Sequence, residues 1–247
     1  MESTHNHPTP RLDNTKQDSG NAAVRVLAII PAYNEAERIA IVIKGALKYL
    51  PVLVIDDGSS DETTAVARGN GADVLVQTPN QGKGAALRAG FQWAIDRGYQ
   101  AVLTLDADGQ HDPDDIPDFL SVYTTTEADL IIGSRDFSQI PPIRRLANTL
   151  GRVSFSWAVG QDIPDNQSGY RLISLRLMEA LLSSQEQGFE FEVEMIKVAI
   201  QRGYPLEWVP IQTIYAGESS HISPFNHIKQ FLRVVLRTRI GMRDTKN

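Results

Sequence analysis

The 247-residue sequence contains no cysteine, so a disulfide framework, a thiolate nucleophile and a Cys-ligated zinc site are all excluded. It also lacks any apolar run approaching the roughly 20 residues that a membrane-spanning helix needs. Its first 22 residues have no apolar core of the signal-peptide kind, so neither a span nor export is expected. Asp and Glu are missing from Ser219 to Arg243, where Lys229, Arg233, Arg237, Arg239 and Arg243 contribute five positive charges. The whole chain carries −6 and Asp244 and Lys246 cancel, which leaves residues 1–218 at −11. That acidic body argues against nucleic acid as a partner. What is present, 42% hydrophobic and 22% charged residues, is enough for a sizeable core.

Residues 1–22 are polar, proline-punctuated and without hydrophobic period, which reads as an N-terminal arm. From there strand and helix patterns alternate. Val24 to Ile30 reads as a buried strand ended by Pro31, and a helix follows from about Glu35, with Ile39, Val42, Ile43, Ala46, Leu47 and Leu50 on one face. Strands are expected at Val52–Ile55, Asp73–Gln77, Ala101–Leu105 and Leu130–Gly133, separated by helices at Glu62–Arg68, Gly82–Arg97 and Asp114–Tyr123. Repeated β-α-β order with apolar strands predicts a mostly parallel central sheet flanked by helices, an α/β fold whose ligands bind beyond the strands' carboxyl ends. Beyond Gly133 the alternation lapses. A helix is expected over Ile143–Ala158, a polar turn over Asp162–Gly169, helices at Leu177–Leu182 and Glu192–Gln201, and extended chain over Leu206–Ile214.

Three polar clusters fall at strand ends: Pro31-Ala32-Tyr33-Asn34-Glu35, Asp56-Asp57-Gly58-Ser59-Ser60-Asp61 and Asp106-Ala107-Asp108-Gly109-Gln110. All three therefore converge on one sheet edge. Asp106 and Asp108, two apart after a strand, suit a shared cation because close carboxylates repel unless a charge intervenes. Hard oxygens of this kind favour Mg²⁺ or Mn²⁺ held together with substrate phosphates, with Gln110 as a neutral oxygen ligand. Helix capping accounts for Asn34 and Ser59 equally well, but it does not explain three clusters at three strand ends. Asn80-Gln81-Gly82-Lys83-Gly84 opens a helix, where exposed amides suit an anion and glycines suit close packing. Gly133-Ser134-Arg135 brings a guanidinium to the same edge.

Taken in order, P-A-Y-N-E, D-D-G-S-S-D, N-Q-G-K-G-A-A-L-R-A-G-F, D-A-D-G-Q-H, G-S-R and D-N-Q-S-G-Y-R resemble an inverting family-2 glycosyltransferase, in particular the dolichyl- or polyprenyl-phosphate sugar synthase branch. The resemblance runs from about Val24 to Arg239. It implies a nucleotide-diphospho-sugar transferase fold of the GT-A type, with a catalytic domain over residues 23–218. By position it implies that Pro31, Tyr33, Glu35, Ile55 and Asp57 hold the nucleoside, and that Asp106, Ala107, Asp108 and Gln110 surround the diphosphate and metal. It places Arg135 in the active site, and Arg144, Arg145 and Arg171 where an acceptor phosphate would lie. A solvated helix face explains Arg144 and Arg145 as well, and an ion pair with Asp165 explains Arg171 as well. Glu190, Glu192 and Glu194 match an acidic stretch of the family, with structural hydrogen bonding as the competing account.

The implied reaction is metal-dependent, inverting transfer of a sugar from a nucleotide-diphosphate donor to a polyprenyl phosphate at the cytoplasmic membrane face, by a peripheral enzyme. A hydroxyl acceptor would need a general base, for which Asp165 is the candidate. A non-catalytic membrane-binding module is the alternative of a different class. Over residues 219–243, Ser223-Pro224 starts a helix in which Phe225, Ile228, Phe231, Leu232 and Val235 share one side and Lys229, Arg233 and Arg237 another. Such a helix fits an anionic membrane surface, or a domain surface on which its apolar side docks. Ile214 to His221 departs from the family's Arg followed by G-x-S-Lys, which leaves the donor base and sugar open and His221 as a replacement cation or a helix-entry residue.

Overall fold

The structure is a computed structural model that describes residues 24–135, 142–188, 190–212, 214, 235–236 and 238–240. Within the helix over 142–159, the side chains of residues 142–148 and 150 fall outside that description. The expected arm over residues 1–22 and most of the expected helix over residues 219–243, His221 included, also lie outside the described residues.

Among the described residues seven strands form one sheet: β1 (Val26–Ala32), β2 (Val52–Asp56), β3 (Asp73–Val76), β4 (Ala101–Thr104), β5 (Leu130–Arg135), β6 (Arg171–Ser174) and β7 (Leu206–Ile211). Their spatial order is β3-β2-β1-β4-β6-β5-β7. Neighbours are parallel except at β6, which runs antiparallel to both β4 and β5. The helices are α1 (Ile39–Ala46), α2 (Thr63–Gly69), α3 (Lys83–Asp96), α4 (Ile116–Thr126), α5 (Pro142–Val159), α6 (Leu175–Leu181) and α7 (Glu190–Gln201).

The two-residue period of β1 divides the core. Val26, Ala28, Ile30 and Ala32 join the apolar side chains of α1, α2 and α4 on one face, while Leu27 and Ile29 join those of α3, α5, α6 and α7 on the other. Being covered on both faces is why β1, β2 and β4 read as continuous apolar runs. Beyond the β1–β4 register, which ends at Ile29 opposite Thr104, β1 continues through Pro31 to Ala32. The expectation that Pro31 ends the strand is thus corrected. Its missing N–H would face β4, where pairing has already stopped, so no ladder bond is lost. This divergence of β1 from β4 opens the sheet edge where the strand-end clusters meet. Strand β6 escaped the sequence reading because its four residues sit between a polar turn and a helix, too short for a period to show.

Candidate functional site

The carboxyl ends of β1, β2 and β4 enclose a cleft of about 400 Å³ lined by Pro31, Tyr33, Glu35, Asp57, Lys83, Asp106, Ala107 and Asp108, among others. Segments separated by up to 77 residues of sequence therefore meet, as the three strand-end clusters require. The first two clusters are knitted together. Asn34, with a left-handed φ of 56°, accepts the Ser60 amide at 2.8 Å and donates its own amide to Ser59 Oγ at 2.9 Å. The Glu35 amide donates to Thr63 Oγ1 at 2.9 Å, and Asp61 accepts the Thr63 amide at 3.0 Å. Asn34 and Ser59 thus tie loop to loop, and neither caps its own helix. These bonds leave the Tyr33 ring half exposed at the cleft.

Asp57 is buried at the cleft wall and accepts the amides of Gln81 at 2.8 Å and Gly82 at 2.7 Å. Amides at the start of α3 that could cradle an anion are therefore already used by a carboxylate of the protein. The glycines of this loop serve packing. Gly82 has φ +91°, and a Cβ there would sit 2.7 Å from the Gln187 carbonyl oxygen; at Gly84 a Cβ would meet the Glu186 carbonyl oxygen at 2.7 Å. The Gly84 amide instead donates to Gln187 at 2.6 Å.

Lys83, which the sequence reading did not single out, sits between two carboxylates. Its Nζ donates to Asp106 Oδ1 at 2.5 Å and to Glu192 Oε1 at 2.7 Å. Burial alone would favour the neutral amine, but the two negative charges outweigh it and raise the Lys83 pKa. Asp106 responds in the opposite sense: burial pushes its carboxyl up, and the neighbouring charge of Lys83, with His111 and Arg135, overcomes that and lowers it to about 2. His111 is buried behind Asp106, accepts the Asp106 amide on Nδ1 at 3.1 Å, and is held below its ordinary value chiefly by burial. The Tyr170 ring stacks on His111 at 4.9 Å and on Phe119 at 4.5 Å. Gly169 closes the wall, since a Cβ there would lie 2.7 and 2.8 Å from the Asp106 oxygens and 2.9 Å from Lys83 Nζ. A lysine flanked by glycines at a helix start, between two acidic turns in the sequence, was the available signal for this contact.

Asp106 and Asp108 both line the cleft and both remain partly exposed. Among the described residues no three His, Cys, Asp or Glu side chains form a ready cage for a metal. That donor set fits Mg²⁺ or Mn²⁺, which keep few protein ligands and complete their shell with phosphate and water oxygens. Gln110 is not among the lining residues; its amide donates to Asp108 Oδ1 at 2.9 Å and its carbonyl accepts the Ile214 amide at 3.0 Å.

Three expectations are corrected. The Ile55 side chain is wholly buried under α3, where a Cβ on Gly90 would touch it at 3.3 Å, so it belongs to the core and not to the cleft. Arg171 is wholly buried, donating to the carbonyls of Ser168 at 2.7 Å, Asn166 at 3.3 Å and Glu192, and so cannot meet an acceptor. Nor does it pair with Asp165. That carboxylate is bound bidentately by Arg135, Nε to Oδ2 at 2.7 Å and Nη2 to Oδ1 at 3.0 Å, and also accepts the Gln167 and Ser168 amides. Asp165 thus orients Arg135 and is poorly placed to act as a base. The side chains of Arg144 and Arg145 lie outside the described residues.

Comparison with known proteins gives the geometry a context. Residues 27–179 match the family model described as "Glycosyl transferase family 2". An undecaprenyl-phosphate mannosyltransferase from Micrococcus luteus is 34% identical over 206 residues, covering 76% of this chain and 83% of that protein. A polyprenol monophosphomannose synthase from Mycolicibacterium smegmatis is 34% identical over 210 residues, with 76% of each chain covered. Among solved structures, glucosyl-3-phosphoglycerate synthase from Mycobacterium tuberculosis in complex with Mn²⁺, uridine diphosphate and phosphoglyceric acid superposes with a TM-score of 0.67 at 18% identity, over 89% of this chain and 78% of that one. The same enzyme with Mg²⁺ and uridine diphosphate gives 0.63 at 19% identity, over 89% and 79%. The α/β architecture is that of these GT-A-like neighbours.

Proposed function

The chain belongs to glycosyl transferase family 2, and from that premise we propose that it moves a sugar, with inversion, from a nucleoside diphosphate sugar to a polyprenyl phosphate at the cytoplasmic face of a membrane. The observation that carries this reading is the meeting of Asp57, Asp106 and Asp108 around one cleft. The names of the two bacterial relatives supply the acceptor class.

In this reading the nucleoside lies along Pro31, Tyr33, Glu35 and Asp57, where an aromatic face and carboxylates match a base and ribose hydroxyls. Asp106 and Asp108 would hold Mg²⁺ or Mn²⁺ with the diphosphate, and the bound ion would neutralise charge that builds on the leaving group. Lys83, Gly169 and His111 fix Asp106 from behind. Arg135, aligned by Asp165, offers a preset guanidinium to an acceptor phosphate. An oxygen of that phosphate attacks the anomeric carbon. The carbon–oxygen bond to the diphosphate breaks, its electron pair leaves with the nucleoside diphosphate, and the sugar carbon inverts. A phosphate monoester is already anionic near neutral pH, so no side chain has to remove a proton; positioning is the main demand. The engagement of both Asp165 oxygens by Arg135 disfavours the alternative hydroxyl acceptor.

The test is a panel of radiolabelled nucleotide sugars against polyprenyl phosphate and hydroxyl acceptors, with Mg²⁺ or Mn²⁺. Transfer to the lipid phosphate is expected; transfer to hydroxyls alone would overturn the acceptor assignment. Asp108→Asn is expected to lower turnover by about 10²–10³-fold with the fold intact by circular dichroism, and unchanged turnover would remove Asp108 from its role.

A further inference from the structure

The first turn of a helix is an unfavourable place for a cation, because the helix dipole puts partial positive charge there. Lys83 nevertheless opens α3, in a first turn that holds no acidic residue. Two carboxylates from distant parts of the chain offset this: the Lys83 Nζ lies 2.5 Å from Asp106 Oδ1 and 2.7 Å from Glu192 Oε1. These partners are placed differently. The Asp106 side chain is 28% exposed and lines the cleft together with Lys83, whereas that of Glu192 is 9% exposed and is not among the lining residues. Glu192 stands in the first turn of α7, where Arg171 holds its backbone by donating to its carbonyl. The ammonium thus bridges a carboxylate that faces the cleft and one fixed behind it. The remaining Asp106 oxygen, Oδ2, lies 3.9 Å from His111 Nε2, so Lys83 is the close partner of this side chain.

We propose that Lys83 is a placeholder cation: it holds Asp106 Oδ1 until a nucleoside diphosphate arrives with its divalent ion, then gives up that oxygen and stays on Glu192. The inference rests on the metal-bound diphosphate proposed above and makes Lys83 a positioning residue that acts through Asp106. A divalent ion that enters alone must take Oδ1 from an ammonium and sit beside its charge, with the Arg135 guanidinium as a further cation acting on Asp106. An ion that enters with a diphosphate brings anionic oxygens that offset both cations and complete the metal's own shell. Glu192 makes the exchange feasible, since a lysine released by Asp106 keeps one charged partner and is not left unpaired in a partly buried place. Lysine suits the task because its charge is compact and its stem flexible, so it can change partners without a fixed fork geometry. Gly169 leaves room for it: a Cβ there would stand 2.9 Å from Nζ.

The test is binding of Mn²⁺ to the full chain, with and without uridine or guanosine diphosphate, read from the electron paramagnetic resonance signal of the free ion. It compares the wild type with Lys83→Met, Lys83→Arg and Glu192→Gln, each checked for folding by circular dichroism. The wild type is expected to bind Mn²⁺ alone about tenfold or more weakly than with nucleotide. Without nucleotide, Lys83→Met should bind the ion about tenfold or more tightly than the wild type, and Lys83→Arg, which keeps the charge, as weakly as the wild type. A purely structural lysine would not raise metal affinity on removal. Glu192→Gln takes away the partner to which Lys83 withdraws and should weaken Mn²⁺–nucleotide binding by about tenfold; this arm decides the matter if Lys83→Met does not fold. Lys83→Met that binds Mn²⁺ alone no tighter than the wild type, Lys83→Arg that binds it as tightly as Lys83→Met, or Glu192→Gln with unchanged Mn²⁺–nucleotide affinity would each overturn the proposal. Binding of the ion alone needs neither donor nor acceptor, so failure here is distinguishable from failure of the transfer reading, which the acceptor panel reports.

Discussion

Gly169 shows how little room the Asp106 carboxylate has. Any side chain there would press on both Asp106 oxygens and on Lys83, and displacing a group by even about 1 Å at a reacting centre costs on the order of 100-fold. Gly169→Ala should therefore lower turnover by about that factor while changing thermal stability little, measured by steady-state kinetics beside a melting curve. Lys83→Met acts on the same wall by removing charge. It would leave the partly exposed Asp106 and the buried Glu192 facing one another without the ammonium between them, at a cost of about 1–3 kcal/mol. Denaturant unfolding reads that loss, and an unchanged midpoint would mean that the pair is screened by water. Asp106, Asp108 and Asp57 were legible in the sequence because carboxylates at strand ends are placed by the strands themselves. Lys83 and Gly169 were not, and Glu192 stood out only as one of an acidic stretch, since their shared role arises only when α3, the 165–170 turn and α7 close on one another.

At the scale of elements, β1 to β4 with α1 to α4 followed from apolar period and turn residues, with bounds shifted by a few residues. The antiparallel β6 did not. It inserts between β4 and β5 and so carries the D-N-Q-S-G-Y-R segment directly behind Asp106. Arg171, at the first position of β6, looked like a binding residue because a cation in a motif reads the same whether it faces a ligand or the backbone. Burial decides it: its guanidinium ties the turn carrying Asp165 to the start of α7 carrying Glu192. Arg171→Met should remove those donors from buried carbonyls and destabilise the fold by about 2–4 kcal/mol. Thermal or urea unfolding checks this, and a stability within error of wild type would show that the clamp is dispensable.

For the molecule as a whole, an open α/β sheet concentrates function at the carboxyl ends of its strands, and the divergence of β1 from β4 provides the space. The central claim is that the cleft binds a nucleoside diphosphate through a divalent ion held by Asp106 and Asp108. Calorimetric titration of uridine and guanosine diphosphate into the wild type and Asp108→Asn, each with Mn²⁺ and with EDTA, tests it most directly. The expected result is saturable binding of at least one nucleotide by the wild type with Mn²⁺, weakened by about tenfold or more by EDTA and by the substitution alike. Equal affinity under all four conditions, or no binding of either nucleotide with the metal present, would contradict it.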